Sequence, residues 1–182
     1  MAISIKNTQG ACMHPIRFFS SKPPFALSAM AALLMAPGLS RPAHAVECRT
    51  IASVQASAVS SNNNDAGGHL NQHIFGATPP KGSSQTGKTL FTSIGEYSNV
   101  WNNYQNPEKF RGDAIACSGT KARQKVTVYS VLKKDMIGGF NCTAANAKGE
   151  CTSKTKSQHK KIQLDFKLVQ GQWILLTAYP TN

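Results

Sequence analysis

The stretch KIQLDFKLVQGQWILLTAY, residues 161–179, decides the fold. Ile162, Leu164, Phe166 and Leu168 alternate with Lys161, Gln163, Asp165 and Lys167. A period of two sends the first set to one side of a strand and the second to the other, which marks a half-buried β-strand. Gln170-Gly171 is a two-residue turn, and Trp173 to Tyr179 is the returning strand of a hairpin. Counting by twos along that strand places Thr177 and Tyr179 on the side of Trp173 and Leu175, the apolar side, with their hydroxyls at its rim.

Upstream, Lys125 to Leu132 alternates in the same way, with Val126, Val128 and Ser130 on one side. Ser93 opens a helix. Glu96 stands three residues later, a capping box, and Tyr97, Val100, Trp101 and Tyr104 follow at helical spacing until Pro107 stops it. Residues 76–89 are a Gly/Pro/Ser-rich loop leading into a short strand, residues 61–68 (SNNNDAGG) are a turn or linker, and residues 46–61 are a short helix or extended arm. Helices first and antiparallel strands after predict an α+β domain. The divisions are 1–45, an arm or linker over 46–66, and a domain over 67–182.

Residues 1–45 read as a secretory signal peptide. Lys6, Arg17 and Lys22 form a basic start without an acidic residue, residues 25–36 (FALSAMAALLMA) are an apolar run, and Ala43-His44-Ala45 is a small-x-small cleavage pattern. The run falls short of the roughly 20 residues that a membrane-spanning helix needs, and nothing after residue 45 is long and apolar enough to span. The expected location is secreted or periplasmic, the expected state a monomer. Cleavage after Ala45 leaves 137 residues, enough for one modest core, and a formal charge of +8 from 16 of the 20 Lys+Arg and all 8 Asp+Glu.

Four cysteines remain after cleavage, an even number that suits two disulfides in an exported chain. Cys142–Cys151 would close a short loop, and Cys48–Cys117 would tie the arm to the body. A zinc site is the alternative, but no C-x-x-C spacing supports it. The positive charge crowds into Lys154, Lys156, Lys160 and Lys161 around His159. Such a patch fits a polyanionic partner, RNA or an envelope polymer, and equally a solvated strand edge kept soluble by lysines.

Three motifs bear on chemistry. Gly82 to Thr89 (GSSQTGKT) matches the phosphate-loop pattern, but that loop needs a strand before it and a helix after it. Here Pro79-Pro80 precedes and a short strand follows, so nucleotide hydrolysis is set aside and Lys88 is left as a cation on a loop. The second motif is residues 67–73 (GGHLNQH). His69 and His73 stand four apart and would share a helix face, able to shuttle protons or bind a metal. Leu70 replaces the glutamate of a zinc-peptidase helix. The third motif is Thr177-Ala178-Tyr179 on the last strand.

The glycine-flanked histidine pair, the lysine-bearing loop and T-x-Y on the last strand together resemble the RNase A-like and EndoU-like ribonuclease domains of bacterial contact-dependent inhibition toxins, over roughly residues 67–182. The resemblance implies a kidney-shaped α+β fold with a cleft between sheets, and metal-independent cleavage of RNA without a cofactor. It further implies a toxin's role with an immunity protein as partner. It assigns the proton transfers to His69 and His73 and phosphate binding to Thr177 and Tyr179. Where the family carries an arginine beyond the second histidine this chain has Ser84, so Lys88 is taken as the electrostatic group, and Lys81, Lys160 and Lys161 as further RNA contacts. A histidine with an ordinary pKa near 6.5 can act as acid or base at neutral pH. The alternative is an exported basic domain that binds nucleic acid or envelope polyanions without turnover.

Overall fold

The computed structural model describes residues 46–109, 115–118, 121–129 and 136–182. The signal-peptide reading of residues 1–45 and the end of the strand at 130–132 lie outside them. The hairpin expected over residues 161–179 is present. Strands β5 (Lys161–Val169) and β6 (Gln172–Thr181) are joined by Gln170 at φ 49° and Gly171 at φ 80°. Two central residues with positive φ make the tight turn whose twist matches that of paired strands. Strand β2 (Arg123–Tyr129) pairs with the other edge of β5, giving an antiparallel sheet in the order β2-β5-β6.

A second antiparallel sheet has the order β1-β3-β4, built from β1 (Thr89–Phe91), β3 (Ile137–Ala145) and β4 (Cys151–His159). Two α-helices, α1 (Ala52–Ser57) and α2 (Ser60–Asn63), precede these strands, and α3 (Ile94–Gln105) lies between β1 and β2. The class is α+β, as expected. The segment 61–68 differs in part from its reading as a turn, because α2 runs to Asn63 before the chain reverses.

The core lies on the inner face of the β2-β5-β6 sheet. Val128, Ile162, Leu164, Phe166, Leu175 and Ala178 meet Tyr97, Val100, Trp101 and Tyr104 from α3. Burying each large side chain of this kind stabilises by about 1.5–3 kcal/mol. The capping box fixes where α3 starts: the Ser93 hydroxyl accepts from Glu96 N at 3.1 Å, and the Glu96 carboxylate accepts from Thr92 N at 2.8 Å. Cys48, Val54 and Ala58 from the arm join the same core, and Tyr97 Oη donates to Ala58 O at 2.7 Å.

Both favoured disulfides are formed, Cys48–Cys117 and Cys142–Cys151. They suit an oxidising compartment. Among the described residues, no helix is long and apolar enough to cross a membrane.

Candidate active site

The histidine pair is placed by the two glycines before it. Gly67 has φ 85°, a left-handed conformation. Gly68 has no room for a side chain, since a Cβ there would sit 2.3 Å from Asn63 Oδ1. Asn63 is fully buried. Its Nδ2 donates to Ser57 O at 2.7 Å and Leu175 O at 2.8 Å, and its Oδ1 accepts from Leu70 N at 2.7 Å. One amide thus joins α1, β6 and the segment carrying the histidines.

That segment is a 3₁₀ turn, Leu70–His73, with His69 just ahead of it. The α-helical face expected for an i, i+4 pair is therefore replaced by a single tighter turn. His69 N donates to Leu176 O at 2.8 Å, which anchors the turn to β6.

His73 is held on two sides. Its Nδ1 lies 2.8 Å from Thr89 O, and its ring stacks on Tyr179 with centroids 4.8 Å apart and planes at 28°. A carbonyl oxygen can only accept, so Nδ1 carries the proton and donates, leaving the lone pair of the neutral ring on Nε2. Burial pushes the His73 imidazole down to about 4, opposed by the Thr89 carbonyl and assisted by the charges of His69 and Lys88. His69 is lowered as well, first by burial and then by Arg123. Both rings are thus neutral near pH 7, the state in which an imidazole accepts a proton.

Thr177 and Tyr179 do not lie on the apolar side. The register steps between Asp165 and Phe166: Phe166 faces Leu175, whereas Asp165 faces Thr177 and Gln163 faces Tyr179. Leu176 is the extra residue of a β-bulge. It turns Thr177 and Tyr179 onto the polar face of the sheet, opposite the core side of Trp173 and Leu175. Thr177 is buried there, and its Oγ1 has no hydrogen-bond partner among the described residues. An unpaired buried hydroxyl is costly enough to need a reason.

The same face carries two residues that the sequence reading passed over. Asp165, expected on a solvated side, is 1% exposed. It pairs with Arg123 Nη2 at 2.6 Å and more loosely with Lys125 Nζ at 3.7 Å. Arg123 lies opposite Lys167, and its side chain is 49% exposed. Both Arg123 and Asp165 act electrostatically on His69 and on Tyr179. Arg123 is thus a cation on this face besides the lysines named from the sequence. The one acid set between two lysines in β5 was the available signal, but its partner depends on a strand register that cannot be counted from either strand alone.

The structure brings together His69, His73, Lys88, Thr177 and Tyr179, with Arg123, Asp165 and Lys167. Lys81 lines a separate concavity with Thr78, Ser84 and Lys148. Lys160 and Lys161 sit at the β4–β5 junction and are not among the charges acting on either histidine. The phosphate-loop match leads into β1 rather than a helix, and its Gln85 side chain is buried in backbone contacts. No group of His, Cys, Asp and Glu among the described residues is placed to hold a metal. No protein-family model matches the chain, and no curated protein or solved structure gives a significant match.

The depressed His73 value makes stability depend on pH. An unfolded His73 binds a proton near 6.5, while the folded one resists protonation down to about 4. Its contribution is full above pH 6.5 and is lost as pH falls towards 4, up to about 3 kcal/mol. Urea unfolding at pH 7.5 and 4.5 measures this. His73→Gln should remove most of the difference, and an unchanged difference in that variant would contradict the assignment.

Proposed function

We propose that this chain is a metal-independent endoribonuclease that cleaves RNA through the substrate's own 2′-hydroxyl, acting outside the cytoplasm of the cell that makes it. The observation that carries the reading is His73, whose Nδ1 proton is held by Thr89 O, leaving the Nε2 lone pair free on a ring that stacks on Tyr179 and lies within the field of Lys88. The two disulfides favour an oxidising location.

In this mechanism His73 Nε2 takes the 2′-hydroxyl proton as O2′ bonds to phosphorus. The P–O5′ bond breaks, and the departing 5′-oxygen receives a proton from His69. The products are a 2′,3′-cyclic phosphate and a 5′-hydroxyl. His69 must enter the step protonated. An RNA phosphate beside it raises its pKa, offsetting the burial and cations that lower it in the ligand-free protein. Arg123 and Lys88 offset the charge that builds on the phosphoryl oxygens, and the Thr177 hydroxyl donates to one of them. Tyr179 fixes the plane of the His73 ring.

The test is incubation of the chain from Val46 onward with RNA in the presence of EDTA. Cleavage with cyclic-phosphate ends is expected. Intact RNA, or equal cleavage by the His69→Ala/His73→Ala double variant, would end the proposal. Salt-sensitive binding without turnover would instead support a basic binding domain, a reading favoured by the exposed lysines of β4.

A further inference from the structure

The outer face of the β1-β3-β4 sheet joins aromatic rings to lysines. Phe75 and Phe140 meet edge to face at 5.3 Å, and Lys154 Nζ lies 3.0 Å from the Phe75 centroid and 4.4 Å from that of Phe140. Lys156 stands directly across from Phe140 and is exposed. Beside them runs a groove of about 470 Å³ lined by Thr92, Gly138, Phe140, Lys156 and Gln158. This volume is in the range of small-molecule sites.

Gly138 is the informative residue. It is exposed within a strand, its φ is not positive, and a Cβ there would come no closer than 3.8 Å to any atom. Neither backbone conformation nor crowding calls for glycine, although glycine inside a strand weakens it. What the missing side chain does is keep the groove open. Gly139 is different, because a Cβ there would meet the His159 ring and Leu90 O at 3.0 Å.

We infer that this groove is a stacking subsite for single-stranded RNA, with a base on Phe140 and phosphates along Lys154 and Lys156. Aromatic faces beside a basic track are how single strands are held without sequence readout. The inference rests on the ribonuclease reading and names where the substrate lies. Thr92 at the groove directly follows β1, whose first residue, Thr89, holds His73 through its carbonyl.

Binding of a fluorescent single-stranded RNA decamer to the His73→Ala chain tests this. In that background Gly138→Val fills the groove, and Phe140→Ala removes the ring. Each is expected to weaken binding about 5- to 100-fold, the range of a lost base stack, with the melting temperature of Gly138→Val unchanged. Affinities equal to the parent in both variants, or an equal loss on duplex RNA, would overturn the subsite. Should Gly138→Val fail to fold, amide NMR shifts of Gly138 and Gly139 on RNA titration decide, and no shift refutes it. Binding at the groove without any cleavage by the unmodified chain would leave the subsite standing and remove the ribonuclease reading. Cleavage with an indifferent groove would do the reverse.

Discussion

His73→Ala is expected to lower the rate of RNA cleavage by about 10²- to 10⁴-fold, the usual contribution of a positioned acid or base. The substitution removes the Nε2 lone pair and the ring that stacks on Tyr179. His73→Gln separates these roles. Its side-chain amide can still donate to Thr89 O, so the turn stays anchored while the base is gone. It should be as inactive as His73→Ala and better folded. Tyr179→Phe keeps the stack and loses only a hydroxyl, so its loss should be far smaller. Arg123→Ala should fall between them and leave Asp165 as a buried carboxylate with the Gln163 amide at 3.2 Å and the distant Lys125 contact. A single-turnover assay at pH 7 gives all four rates. Less than a tenfold loss in His73→Gln would remove His73 from the chemistry.

Gln85→Ala should destabilise the fold by about 3–5 kcal/mol, a large part of the 5–15 kcal/mol typical of a whole domain. Gln85 is fully buried. Its Nε2 lies 2.7 Å from Asn71 O, 2.7 Å from Ile74 O and 3.0 Å from Ala77 O, and its Oε1 accepts from Cys151 N at 2.8 Å. Alanine would take this partner from Asn71 O, Ala77 O and Cys151 N, while Ile74 O keeps Ala77 N at 3.2 Å; each buried group left dry costs about 1–3 kcal/mol before relaxation, and a cavity opens. Asn71 and Ile74 flank His73, so activity should fall even where the variant remains folded. Urea unfolding at pH 7.5 measures the cost. A loss under 1 kcal/mol would show that water or relaxation replaces the amide.

The hairpin, the capped helix and the disulfide pairs were legible because each is a local or arithmetic signal: alternation, a Ser-x-x-Glu start, an even cysteine set. Strands β3 and β4 were not. β4 (CTSKTKSQH) is polar on both sides because it is an exposed edge, so it shows no alternation. β3 (IGGFNCTAA) is interrupted by two glycines, one kept by packing and the other open to the groove. At the site, His69, His73, Thr177 and Tyr179 were nameable from short motifs. Arg123 and Asp165 were not, since they meet 42 residues apart through strand pairing. The expected orientation of Thr177 and Tyr179 was reversed by a bulge, which inserts a residue without changing the composition of the strand.

Leu176 gives that bulge a further meaning. A strand stores orientation as parity, odd or even, and parity survives almost any substitution but no single insertion or deletion. Between Gly171 and Tyr179, the length of the chain carries the instruction that sends two hydroxyls away from the core and towards the histidines. Removing one residue there would leave every candidate site residue in the sequence and face Thr177 and Tyr179 into the hydrophobic interior. For this hairpin, spacing is inherited information in its own right, and a relative is to be recognised by the count of residues after the turn as much as by their identity.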